Sequence, residues 1–211
     1  MAMKKVVFVG PANSGKTSLR KFFFEGVPAD KILAEPEAPT VGVKYNRYNY
    51  VYSYPVEKEG TAPEKIPIEL AMVDTSGQEL EKFLTTPAGD NVFKAADIVL
   101  FIIDASGWDD EMQREYLMDF ICFTNTARLQ LAPQSVFHVV AHKYDLVVSG
   151  GKAGMDKLRA RIKNDLQDYI FKKTRKFLDF NVHVTSLKKE YRLDTFQEIL
   201  DLTTTLLSIP F

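Results

Sequence analysis

Gly10-Pro11-Ala12-Asn13-Ser14-Gly15-Lys16-Thr17 follows the apolar run Val6-Val7-Phe8-Val9 and precedes the helix-like stretch Ser18-Leu19-Arg20-Lys21-Phe22-Phe23-Phe24. The spacing GxxxxGK[ST], set between a strand and a helix, is that of a phosphate-binding loop. Gly10 and Gly15 permit a tight curl and a close approach of backbone to phosphate. The N–H groups from Asn13 through Ser18 can then converge on one concavity and bind an anion, helped by the positive end of the helix. In that arrangement Lys16 reaches the β- and γ-phosphates and the Thr17 hydroxyl ligates Mg²⁺. The plainer alternative is a glycine-rich strand-to-helix turn carrying a surface lysine.

Three later segments bear on which nucleotide is held and what happens to it. Asp74-Thr75-Ser76-Gly77-Gln78 follows the strand-like Ile66 to Val73. Asp74 at a strand's carboxyl end can hold Mg²⁺ through a water. Gly77 is small enough for its N–H to meet the γ-phosphate, and Gln78 is placed to orient an attacking water. His142-Lys143-Tyr144-Asp145 follows the strand-like Ser135 to Ala141. A carboxylate there accepts from N1–H and the 2-amino group of guanine; adenine has no such donor pair, so base choice rests on Asp145. The Lys143 stem can lie along the base face. Thr185-Ser186-Leu187 is weak alone. After the other motifs, Ser186 and Leu187 would close over the base with their backbone.

The order of these motifs resembles a Ras-superfamily small GTPase over nearly the whole chain. GxxxSGKTSLR from Gly10 to Arg20, Asp90-Asn91-Val92-Phe93, His142-Lys143-Tyr144-Asp145-Leu146 and Thr185-Ser186-Leu187 are together similar to the Rag/Gtr branch. The histidine at 142 is the most telling, because most Ras-like members carry asparagine or threonine there. The resemblance implies a P-loop NTPase G domain that binds GTP or GDP with Mg²⁺ and switches on hydrolysis. It makes Thr40, in Ala38-Pro39-Thr40-Val41-Gly42, the residue that senses Mg²⁺ and the γ-phosphate. Rag-type chains carry a dimerising roadblock-like domain after the G domain, whereas this chain ends at Phe211. The expectation is therefore a roadblock or longin-type partner supplied as a separate chain, with dimer formation left open.

Elsewhere strand and helix signals alternate. Strands are expected at Lys4 to Gly10, Val43 to Val56, Ile66 to Val73, Ile98 to Asp104, Ser135 to Ala141 and Phe180 to Val184. Helices are expected at Lys16 to Glu25, Asp110 to Gln130, Gly154 to Phe177 and Leu193 to Leu207. Gly26 to Pro39 lacks periodicity and reads as a mobile loop, and Ser149 to Gly154 as a flexible connector. The fold class is α/β: one domain over residues 1–211, three layers, a six-stranded mostly parallel sheet with helices on both faces and one antiparallel edge strand.

The formal charge of −1 over 211 residues offers no general attraction to nucleic acid or anionic lipid. The single cysteine, Cys122, suits a reducing compartment, and its apolar neighbours suggest a buried structural thiol. No apolar run approaches about 20 residues, and neither a signal peptide nor a lipidation motif is read at the ends. A cytoplasmic protein is expected, reaching membranes only through a partner.

Some readings stay open. Residues 152–176 hold nine Lys/Arg against three Asp, either a docking surface or a solvated helix face. Tyr48, Tyr50, Tyr52 and Tyr54 share one strand face, either an effector surface or a cover for the adjacent helix. Ala12 stands where many Ras relatives have glycine, and neither Arg20 nor Arg47 is placed as an internal arginine finger. Slow turnover follows, and a nucleotide-locked scaffold that hardly turns over is the alternative. An ATP-dependent kinase would lack the Asp145 arrangement.

Overall fold

A computed structural model describes residues 2–35, 38, 40, 42–54, 64–75, 91–147 and 151–208. Six strands form one sheet in the order β2-β3-β1-β4-β5-β6. They are β1 (Ala2–Val9), β2 (Val43–Tyr54), β3 (Glu64–Thr75), β4 (Ile98–Asp104), β5 (Val136–His142) and β6 (Asn181–Thr185). β1 runs parallel to β3 and β4, and β5 runs parallel to β4 and β6. Only β2, on the edge, is antiparallel. The expected fold class is borne out.

The strand sequences explain the layering. Ile98-Val99-Leu100-Phe101-Ile102-Ile103 is six consecutive buried residues, as a parallel strand covered on both faces requires. On one face Val7, Val9, Phe101 and Val139 join Leu117 and Ile121 of α3 (Glu111–Leu131) and Ile162 and Leu166 of α4 (Gly151–Thr174). On the other, Val6, Phe8 and Ile102 meet Leu19 of α1 (Lys16–Phe24) and Leu202 of α5 (Arg192–Ser208). Asp110 starts α3 by accepting from the Gln113 N–H at 2.9 Å, which satisfies one unpaired amide of the first turn.

Two expectations need correction. The segment Gly26 to Pro39 is not aperiodic loop throughout: α2 spans Ala29–Ala34. Its Ala29 and Ile32, three apart, bury one narrow face against Leu187, with Phe22 and Val27 around them. Six residues are too few to show a period in sequence, and the partner lies far downstream. Likewise α4 begins at Gly151 and absorbs most of the expected connector. Met155, Leu158, Ile162 and Leu166 form one continuous buried stripe, and that burial carries the helix back through its glycines.

The parallel strands bring the carboxyl ends of β1, β3, β4, β5 and β6 to one edge of the sheet. The described residues that follow β1, β5 and β6 gather there, where open α/β sheets bind ligands.

Candidate functional site

Those loops enclose a cleft of about 480 Å³. Its floor is the turn between β1 and α1. Gly10 sits at φ +149° and Gly15 at φ +92°, both on the side of the map that glycine tolerates. Neither position has room for a side chain. A Cβ on Gly10 would stand 2.0 Å from the Ile102 carbonyl oxygen, and one on Gly15 would stand 2.3 Å from His142 Cδ2. Lys16 folds back over the turn and its Nζ donates to the carbonyls of Gly10 at 2.9 Å and Pro11 at 2.7 Å. The ammonium is thereby pinned in a concavity at the amino end of α1, where the helix dipole adds positive potential. Asn13, Gly15, Lys16, Thr17 and Ser18 line the cleft. The Ser14 side chain does not: it is fully buried, and its hydroxyl has no hydrogen-bond partner among the described residues. Only the backbone of Ser14 is left to face an anion.

The loop after β5 is tied to this turn. Lys143 takes a left-handed conformation at φ +60° and donates to the Asn13 carbonyl at 2.6 Å and to Asp104 Oδ2 at 2.8 Å. Burial alone would raise the Asp104 carboxyl, but hydrogen bonds from Lys143 and Ser106 hold it below the usual carboxylate range. His142 lies beneath Gly15, with Nδ1 3.0 Å from Thr185 Oγ1 in β6. Burial pushes its imidazole down to about 4, with the Lys143 ammonium adding to the effect, so the ring is neutral near pH 7. The histidine thus stands between the end of β6 and the glycine turn. Asp145 and Ser186 meet at the far end of the cleft, the Ser186 hydroxyl donating to the carboxylate. Lys188 Nζ lies 3.4 Å from the same carboxylate. Leu187 closes that end. A carboxylate that lines the same cleft as an anion-binding turn, beside Leu146 and Leu187, is suited to a base with two adjacent N–H donors.

At the other end Thr40 reaches the turn. Its Oγ1 is 3.1 Å from Thr17 Oγ1. Octahedral Mg²⁺ with ligands at about 2.0–2.1 Å separates neighbouring ligand oxygens by about 2.9 Å, so the two hydroxyls fit adjacent positions on such an ion. Asp74 pairs through its backbone with Phe8 of β1 and Lys44 of β2, at the carboxyl end of β3. The Asp74 side chain, Gly77 and Gln78 lie outside the described residues.

The sequence reading missed several contributors. Asp104, which fixes Lys143, could have been suspected from its place at the end of a strand. Ile32, Leu33, Leu146 and Lys188 also line the cleft, and no local pattern marks them. Other speculations narrow. Arg20 is buried and pairs with Glu25 and the Tyr48 hydroxyl, away from the glycine turn. Tyr48 packs against Phe24 of α1, so for that tyrosine the helix-covering reading holds. In the basic stretch Arg159, Arg161 and Lys173 pair with acids, as a solvated helix face would. Cys122 is half-buried against the core, and burial pushes its thiol up to about 11. No helix among the described residues is long and apolar enough to cross a membrane.

Comparison with known proteins identifies a family. A family described as the Gtr1/RagA G protein conserved region matches residues 5–201. The GTP-binding protein gtr1 of Schizosaccharomyces pombe is 22% identical over 179 residues, covering 83% of this chain and 46% of that relative. The chain thus spans about half the length of that curated relative.

Proposed function

The chain belongs to the Gtr1/RagA G protein family, and from that premise we propose that the cleft binds GTP and GDP with Mg²⁺ and slowly hydrolyses GTP. The observation that carries this reading is the convergence on one cleft of the glycine turn with Lys16, the Thr17–Thr40 pair, and Asp145 with Ser186. In it the turn amides from Asn13 to Ser18 and Lys16 hold the phosphates. Asp145 reads the guanine edge while Lys143, Ser186 and Leu187 enclose the base, and His142 supports the turn from below. Thr17, Thr40 and Asp74 are the residues to hold Mg²⁺; when bound, the ion supplies positive charge opposite the phosphate oxygens. Gln78 orients water toward the γ-phosphate, and Lys16 neutralises charge that develops on the transferred group.

Switching follows from differential contact. Thr40 and Gly77 engage a γ-phosphate only while it is present, so its loss releases both segments. No described arginine points into the glycine turn, which supports a low intrinsic rate, because such a residue contributes on the order of 10³–10⁵. By family resemblance, the partners are regulatory proteins, with a roadblock or longin-type chain the first to seek by pull-down.

The test is base choice. GTP and GDP are expected to displace a labelled guanine nucleotide where ATP does not. Asp145→Asn exchanges a double acceptor for an amide that presents N–H to the 2-position. It is expected to weaken GDP about a hundredfold and to favour a base with a carbonyl there, such as xanthine. Equal binding of GDP and ADP by the unaltered protein removes the reading.

A further inference from the structure

α2 stands against the base end of the cleft. Ile32 is buried on Leu187, and Ile32 and Leu33 face the same cavity as Asp145. A planar base held by Asp145 therefore needs α2 in place for one of its apolar walls. Little in α2 itself secures it, since it has six residues and no side-chain cap.

Beyond the buried face of Ala29 and Ile32, what ties it down is Arg192, the first residue of α5. Its Nη1 donates to Asp30 Oδ2 at 3.1 Å, and Nη2 donates to Oδ1 of the same carboxylate. Its Nε turns the other way and donates to the Leu187 carbonyl at 3.4 Å. One rigid guanidinium therefore joins α2, which leads to Thr40, to the loop that closes over the base. A planar fork with fixed donor directions suits this bracket, where a lysine would supply only a point charge. The arginine's hydrogen bonds hold the Asp30 carboxyl below its usual range, as a formed pair requires.

We propose that Asp30 and Arg192 are positioning residues that set how fast guanine nucleotide leaves, by clasping α2 onto Leu187 beside the base. The proposal rests on the guanine-nucleotide reading of the cleft and adds to it a control point on release. An exchange protein that draws Asp30 away from Arg192 opens the base end without touching the phosphates. The clasp acts where GDP and GTP are identical, so it acts on both alike. A contact working through Thr40 and the γ-phosphate affects GTP alone.

The experiment measures dissociation of fluorescent methylanthraniloyl-GDP and of a methylanthraniloyl analogue of GTP that resists hydrolysis, from the full chain. Arg192→Ala and Asp30→Asn are each expected to raise both rates by about two- to fivefold, the range open to a partly exposed paired charge. The exchanged pair Asp30→Arg with Arg192→Asp restores the ion pair but not the hydrogen bond to the Leu187 carbonyl, so it is expected to recover part of the slow rate, a rescue that a general loss of folding does not produce. Asp30 is well exposed, so Asp30→Asn keeps the test readable if Arg192→Ala folds poorly. Unchanged GDP dissociation with normal guanine preference overturns the clasp and leaves the nucleotide site standing. A rise confined to the GTP analogue, or no recovery in the exchanged pair, overturns it as well.

Discussion

Gly15 shows how much rests on a missing side chain. It begins α1 in a left-handed conformation, with His142 Cδ2 where its Cβ would go. Any substitution strains the backbone and drives the His142 ring toward Thr185. Strain of this kind costs on the order of 1–3 kcal/mol. Gly15→Ala is therefore expected to weaken GDP about tenfold to a hundredfold while the circular dichroism spectrum stays that of the folded chain. Unaltered GDP affinity in an equilibrium titration would show that the turn adapts and that His142 is not its support. The GK[ST] pattern revealed the glycine. It could not reveal that a histidine over a hundred residues later occupies the space the glycine leaves.

At the scale of the element, β5 combines two buried histidines on one face. His142 sits under the glycine turn, and His138 Nδ1 lies 3.0 Å from His183 Nε2 in β6. His183 Nδ1 in turn lies 3.0 Å from Glu198 Oε2 of α5. Burial pushes His142 down to about 4 and His138 to about 3, the latter also opposed by His183. In the unfolded chain each titrates near 6.5. As pH falls below about 6.5, the unfolded state takes up protons that the folded state refuses until pH nears 4 or 3. Stability is therefore full above about pH 6.5 and declines below it, by about 1.4 kcal/mol per pH unit for each such histidine. The urea midpoint is expected to drop steadily from pH 6.5 to 4.5. His142→Asn, which removes one of these sites, is expected to flatten that decline. Parallel midpoint curves for the two proteins would mean His142 is protonated in the folded state. Carboxylates remote from His142 also lose stability in acid, but they contribute equally to both curves.

The whole molecule is a sheet whose carboxyl edge collects segments from both ends of the chain. On the proposed reading, a switch needs that span, because the phosphate site, the base site and the responding segments come from different strands. Gln78→Leu is expected to slow single-turnover GTP hydrolysis by about tenfold or more with GTP affinity kept. Unchanged turnover would take Gln78 out of the mechanism. Sequence alone determined the layered α/β class, the edge strand, the glycine turn with Lys16 and Thr17, and the candidacy of Asp145. These are local patterns: an apolar run of strand length, a fixed spacing of glycines, a carboxylate at a strand end. Only the tertiary structure decided that α2 is a helix, that α4 starts at Gly151, that Ser14 turns away from the cleft, and that Asp104, His142 and Arg192 brace the loops around it. Each of these depends on a partner distant in sequence, such as Leu187 for Ile32 or Asp30 for Arg192. No short window of residues contains both members of such a pair, so the contact exists as information only once the chain has folded.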